Sequence, residues 1–174
     1  KSIFDLCGDL PVRVEPVGRL DYDTDGALLL TNDGHLAHAL THPSLGVPKH
    51  YLARVRGVPD QATLQTIAKG VPLDDGITAP AKARVLDTDR RGNARVDITV
   101  TEGRNRLIRR MMLKVGYPVL ELRRVSFAGL TLRGMKGGEV RPLTAAEVHK
   151  LRGMVEGTGR KRVARSPRNV AESL

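Results

Sequence analysis

The chain has 174 residues, 40% hydrophobic and 28% charged, with 29 Lys and Arg against 19 Asp and Glu, giving a formal net charge of +10. That length and balance describe a soluble globular domain with ample core; no apolar run approaches the ~18 residues of a membrane span and no signal peptide is visible, which excludes a membrane partner and points to the cytoplasm. The single cysteine, Cys7, excludes an internal disulfide and suits a reducing compartment, while the excess of Lys and Arg calls for a polyanionic partner, nucleic acid above all.

Taken in chain order, residues 12–17 read as a strand. Residues 26–31 read as a second strand, apolar enough to be buried on both faces. Asn32-Asp33-Gly34 ends it, and a short helix follows with Leu36, Ala39 and Leu40 on one side, stopped by His42-Pro43. Residues 49–57 alternate as a strand, with Tyr51, Ala53 and Val55 on one face and Leu52, Arg54 and Arg56 on the other. Asp60 caps a helix through Lys69, with Leu64, Ile67 and Ala68 inward and Gly70 as the stop. Residues 81–87 and 94–101 form a hairpin about Arg90-Arg91-Gly92-Asn93, with Val96, Ile98 and Val100 on one side. The helix 105–115 carries Ile108, Met111, Met112 and Val115 at helical spacing, and Gly116 ends it. Strands are expected at 118–125, 127–133 and 138–142. Thr144-x-x-Glu147 is a capping box opening a last helix to about Arg152. From Gly153 the chain is Gly-, Arg- and Ser-rich without an apolar period, and is expected to be a disordered basic tail. The expected organisation is therefore a catalytic domain over residues 1–152 and a tail over 153–174. The tail carries +3 of the net charge and the domain +7.

Residues 18–34, GRLDYDTDGALLLTNDG, are the most informative stretch. Asp21-x-Asp23-x-Asp25-Gly26 imitates the first half of an EF-hand calcium loop. The imitation fails, because position 12 is Asn32 rather than glutamate and a proline-broken extended segment precedes it where a helix should stand. His35, His38 and His42 share a helix face, but no cysteine or zincin glutamate accompanies them, so no metal is expected. The five aromatics, Phe4, Tyr22, Tyr51, Tyr117 and Phe127, are too few for a platform that stacks several bases.

GRLDYDTDGALLLTNDG resembles the catalytic motif of pseudouridine synthases in the branch that modifies ribosomal RNA, the RsuA-type family. Two further motifs follow in the family's order. Lys49-His50-Tyr51-Leu52-Ala53-Arg54-Val55-Arg56-Gly57 is similar to its tyrosine-bearing strand. Glu102-Gly103-Arg104-Asn105-Arg106-Leu107-Ile108-Arg109-Arg110-Met111 is similar to its strand end and basic helix. The resemblance covers about residues 3–152 and implies an α+β fold, a long, mostly antiparallel mixed sheet in two lobes with a central active-site cleft. It implies isomerisation of a uridine of ribosomal RNA to pseudouridine on a flipped-out base, without metal or small-molecule cofactor, by a monomer. The GRNR sequence favours the large-subunit members.

By the same resemblance Asp21 is the nucleophile, Arg109 its cation partner and Tyr51 the ring that packs on the flipped base. Arg19 is a plug for the vacated stack or a phosphate clamp, and Lys49, Arg104, Arg106 and Arg110 are RNA contacts. Read without it, Arg109 is one more cation on an exposed helix face, Tyr51 a core residue of a strand and Arg19 a surface charge. Leu107 stands where the family usually has glutamine. The family's N-terminal RNA-binding module and its Lys-Pro strand are not visible, so part of the N-terminal region is expected to be missing. Two other readings remain open. One is an RNA N-glycosidase that uses Asp21 with Asp23 or Asp25 as a carboxylate pair. The other is a non-catalytic ribosomal RNA-binding module.

Overall fold

The structure, a computed structural model, describes residues 3–8, 10 and 12–163. Its contacts divide the chain into two units, Lys1–Val140 and Arg141–Leu174. In chain order the first unit holds a 3-10 turn, Ile3–Leu6, then β1 (Glu15–Pro16), β2 (Asp25–Gly26), β3 (Leu30–Thr31) and α1 (Gly34–Thr41). A second 3-10 turn, Pro43–Leu45, leads to β4 (Lys49–Val55), α2 (Gln61–Lys69), β5 (Pro72–Leu73), β6 (Gly76–Ile77), β7 (Lys82–Thr88) and β8 (Ala94–Val100). After these come α3 (Leu107–Lys114), β9 (Val119–Phe127) and β10 (Leu130–Thr131).

The main sheet runs β10-β9-β4-β8-β7, antiparallel throughout, and β2 joins β9 in parallel. This is the mixed sheet of an α+β fold. Alternation along the strands puts Ala53, Val55, Val96, Ile98, Val100 and Leu122 on one face. That face packs with Ile67 of α2 and with Ile108, Met111 and Met112 of α3 into one buried cluster. The hairpin β7–β8 and the inward faces of β4, β8 and α3 are as the sequence predicts. Asp60 caps α2 by accepting from the Thr63 amide at 2.8 Å, and Asp33 caps α1 through the Leu36 amide at 2.9 Å. Ala68, expected inward, is exposed, because Ile67 and Leu64 already supply the buried side of α2.

The apolar run from Ala27 to Leu30 is not one strand. Ala27 donates to the Arg124 carbonyl at 2.7 Å, whereas Leu29 accepts from Val17 at 2.8 Å. The chain thus changes sheets within three residues, leaving β2 on β9 and β3 on β1. Ala27 and Leu29 are buried and Leu28 and Leu30 half-buried, which explains the composition, but the backbone partners differ at the two ends of the crossing. Strand 12–17 shrinks to Glu15–Pro16, since Pro16 has no N–H to extend the ladder. Strand 127–133 is interrupted by Ala128 and Gly129, at φ 52° and 76°, which turn β9 back into β10. Residues 138–142, expected as a strand, are turn and irregular chain. Gly138 at φ 81° and Pro142 break the pattern there.

The second unit contains α4 (Ala145–Val163). The capping box forms as predicted. Thr144 donates its amide to Glu147 Oε2 at 2.9 Å, and Glu147 returns its own amide to Thr144 Oγ1 at 3.2 Å. The helix does not stop at Arg152. It runs to Val163, so residues 153–163 are helical rather than disordered, and the remainder of the expected tail lies outside the described residues. Gly153 and Gly157 are tolerated inside it, because glycine weakens a helix by only about 1 kcal/mol.

Arg141 grips Glu147 with two bonds, 2.7 and 2.8 Å, and this pair together with the Thr144 amide lowers the Glu147 pKa from 4.5 to about 2. A depressed carboxylate stabilises the fold above its ordinary value and ceases to do so as pH falls through the folded value. The start of α4 should therefore hold above pH 4.5 and fray between that value and about 2. The Glu147 carboxyl carbon, followed by NMR during acid titration, should show its midpoint near 2. A midpoint near 4.5 would mean that the box is not formed in solution.

Candidate active site

The core face of the sheet is not covered to its end. Beyond Ala53 the alternation of β4 brings up Tyr51 and Lys49. The register sets Tyr51 against Arg124 of β9, and Lys49 against Phe127. Here the face becomes the floor of a cleft of about 320 Å³. Tyr51, Leu122, Arg124 and Phe127 line it from the sheet, Arg104 to Ile108 from the entry to α3, and Gly18 to Asp21 with Thr24 from the loop before β2. Three segments far apart in sequence, each carrying one of the three motifs, thus meet around one cavity.

The loop is a tight turn. The Thr24 amide donates to the Asp21 carbonyl at 2.9 Å, which leaves Tyr22 and Asp23 at the exposed apex. Asp23 is held from α3. Arg106 gives its carboxylate two bonds at 2.8 and 2.9 Å. Arg109 places Nε 3.1 Å from Asp23 Oδ2 and donates Nη2 to the Asp23 carbonyl at 2.6 Å. The hydrogen-bonded Arg106 and then the charge of Arg109 hold the Asp23 carboxyl below the usual carboxylate range, against the opposing cost of desolvation. Arg106 adopts a left-handed backbone, φ 47°, that a residue with a side chain reaches only at a cost of about 1–2 kcal/mol. The two bonds to Asp23 offset that strain.

The expected Asp21–Arg109 pair is therefore not the one observed: Arg109 pairs with Asp23. Arg106 and Arg109, three apart at the start of α3, share a side and converge on the apex of the turn. Among the described residues the Asp21 carboxylate has no ion pair within 4 Å, and it lines the cleft with Tyr51. Arg104 and Arg110, expected as RNA contacts, both grip Asp75 at 2.9 Å, and Arg104 also reaches Glu102 at 3.2 Å. They tie the β5–β6 hairpin to the entry of α3. Arg19 is exposed at the cleft, and Lys49 lies beneath it. The Lys49 amine donates to the Val47 carbonyl at 3.0 Å, and burial, then the nearby Arg124 charge, pull its pKa down, with Glu102 pulling the other way.

Arg124 is the residue that sequence reasoning passed over. It is 2% exposed. Its Nε donates to the Ala27 carbonyl at 2.8 Å and its Nη1 to the Arg19 carbonyl at 3.2 Å, so its guanidinium holds the chain on either side of Asp21. It stacks over Phe127 at 5.2 Å. The signal was available: Arg124 lies two residues beyond Leu122 in a strand and must share its core-facing side. Leu107, where the family usually has glutamine, is 5% exposed and packs into the core. It presents an apolar wall to the cleft instead of an amide. His42, one of the three clustered histidines, turns its Nδ1 to Ser44, 2.7 Å from the hydroxyl.

The model of the RNA pseudouridylate synthase family matches residues 8–114, which contain the loop, the tyrosine strand and the start of α3. The chain belongs to that family. Ribosomal large subunit pseudouridine synthase B of Bacillus subtilis (strain 168) is 43% identical over 157 residues, covering 90% of this chain and 64% of that protein. An uncharacterized RNA pseudouridine synthase of Aquifex aeolicus is 40% identical over 151 residues, covering 87% and 60%. Ribosomal large subunit pseudouridine synthase E of Xanthomonas campestris is 41% identical over 157 residues, covering 82% and 84%. The chain thus spans less than two thirds of the length of the first two relatives. The crystal structure of a pseudouridylate synthase superposes with a TM-score of 0.78 at 32% identity, covering 86% of this chain and 65% of that one. A pseudouridylate synthase fold is accordingly the fold of this chain.

Proposed function

We propose that this pseudouridylate synthase family member isomerises a uridine of ribosomal RNA, with the large-subunit RNA favoured, to pseudouridine. The observation that carries the reading is the Asp21 carboxylate, without an ion-pair partner among the described residues, in a cleft shared with Tyr51 and backed by Lys49 and Arg124. In the reaction the N1–C1′ bond of the target breaks, the base turns, and a C5–C1′ bond forms while C5 loses a proton and N1 gains one. Asp21 serves as the nucleophile, left free because Asp23, not Asp21, takes the arginines of α3. Tyr51 packs on the flipped base. Arg124 fixes the loop that bears Asp21, and Arg109 acts on that loop through Asp23. Arg19 faces the RNA backbone, and Lys49 adds positive charge from the wall of the cleft. The other cations named from the sequence, Arg104, Arg106 and Arg110, hold the cleft in shape and offer charge to the RNA. The reaction draws on no metal, cofactor or redox partner, takes all its groups from one chain, and belongs in the cytoplasm with ribosome assembly. The catalytic groups fall within residues 1–152, and the segment from 153 adds positive charge.

Hydrolysis by a carboxylate pair fits less well, since Asp23 is held by two arginines and Asp25 stands exposed in β2. A pure RNA-binding module has no use for a free carboxylate in a basic cleft. Pseudouridine mapping of ribosomal RNA from cells with and without the gene tests the reading. One large-subunit site should disappear on deletion, and an unchanged map would refute it.

Arg109→Ala should lower turnover by about 100-fold, because a misplacement near 1 Å of a catalytic loop costs roughly that much. Lys114→Ala, at the exposed end of α3, should change it less than threefold. Arg110→Ala should fall between them, through Asp75. Equal losses in all three, recovered together at low salt, would make Arg109 an ordinary phosphate contact.

A further inference from the structure

Tyr22 is 108% exposed, the most exposed large hydrophobic side chain among the described residues. Single exposed apolar residues are common and need no explanation; it is the position of this one that calls for an account. It is covalently adjacent to Asp21 and stands at the apex of a turn fixed on every side. Thr24 closes the turn at 2.9 Å, Arg106 and Arg109 clamp Asp23, and the backbone at Asp25 enters the parallel ladder opposite Arg123 of β9. A turn apex ordinarily takes Gly, Asn, Asp or Ser, so nothing in the local backbone asks for an aromatic. The remaining aromatics with described side chains are used elsewhere: Tyr51 and Phe127 line the cleft, and Tyr117 packs against the core. The carboxylate beside Tyr22 on the far side, Asp23, is paired with two arginines, so that neighbour's charge is offset toward a polyanion.

The geometry points to Tyr22 as a stacking platform for the nucleobase that neighbours the target uridine, a contact that helps to select which uridine enters the cleft. The inference rests on the reading of the cleft as an RNA-modifying site. A uridine that swings toward Asp21 leaves the flat face of its neighbour uncovered. A phenol ring carried on a fixed turn next to Asp21 covers that face at little entropic cost, since only its two side-chain torsions have to be ordered on binding. Any base has such a face, and purines present the larger one, so the platform favours a purine next to the target.

The chain contains no tryptophan, so Tyr22→Trp introduces a single reporter. Titrated with protein-free large-subunit ribosomal RNA, its emission should be quenched by stacking. Tyr22→Ala should weaken RNA binding and raise KM about tenfold, with kcat and melting temperature little changed, and Tyr22→Phe should stay within twofold of the parent. On a stem-loop containing the mapped uridine, an abasic residue in place of one flanking base should cost the parent chain a similar factor and cost Tyr22→Ala nothing more. Unquenched indole emission from the Tyr22→Trp chain, or Tyr22→Ala binding within twofold of the parent, would overturn the platform. Because quenching and affinity are read without turnover, a chain that stacks but forms no pseudouridine would refute the proposed reaction and leave the platform standing.

Discussion

Asp21→Asn is expected to abolish isomerisation, lowering turnover by roughly 10⁴-fold or more, the scale on which the loss of a nucleophile is felt. The amide keeps the shape of the carboxylate and loses only the attacking charge. The turn does not depend on that charge, because it is closed by the main-chain carbonyl of Asp21 and held by Asp23. RNA affinity should stay within about threefold and the melting temperature should not fall. Gel-shift titration and calorimetry beside the activity assay separate these effects. Residual activity within tenfold of the parent would remove Asp21 from the nucleophile's role.

Gly26→Ala is expected to be the most damaging substitution that adds only a methyl group. Gly26 sits at φ 120°, and a Cβ there would stand 2.1 Å from the Arg124 carbonyl oxygen and 2.7 Å from its amide nitrogen. Neither atom can yield, since both belong to the backbone of β9, a strand paired on both sides. The parallel pairing of β2 with β9 must open, and with it the support under Asp21. Overpacking and an unfavourable φ together should cost about 3 kcal/mol or more. For a chain of this length that is a fall in melting temperature of roughly 10 °C, with activity lost at temperatures where the protein is still folded. A melting temperature within about 2 °C of the parent would show that β2 is not pinned to β9 in solution.

The parts of this fold that depend on a single element were legible in the sequence. The alternation in 49–57 and 94–101, the apolar spacing of 105–115, the Asp60 cap and the Thr144–Glu147 box each follow from local periodicity or a local side-chain bond, and each appears where expected. What was not legible depends on partners distant in sequence. The crossing at 26–31 reads as one buried strand because burial leaves the same mark on composition whichever sheet lies alongside. The extent of α4 past Arg152 was hidden by glycines that argue against a helix only weakly.

The site divides in the same way. Asp21, Tyr51 and the arginines of α3 were found through motif resemblance, and the structure brings their segments together. The pairing within the set was not accessible, because choosing between Asp21 and Asp23 as the partner of Arg109 requires knowing which carboxylate the turn lifts toward α3. Arg124 lay outside all three motifs, although its place on the face of Leu122 marked it as a buried cation.

If the Asp21 carboxylate carries an isomerisation, the most direct test follows the three possible fates of one base. Large-subunit ribosomal RNA labelled with tritium at C5 of uridine is incubated with the chain, and released tritium, pseudouridine and free uracil are measured together. Tritium release should equal the pseudouridine formed, with no free uracil and no effect of EDTA, and Asp21→Asn should give neither tritium release nor pseudouridine. Free uracil with an abasic site would make the chain a glycosidase, and retention of all tritium in unaltered uridine would contradict the assignment of the cleft altogether.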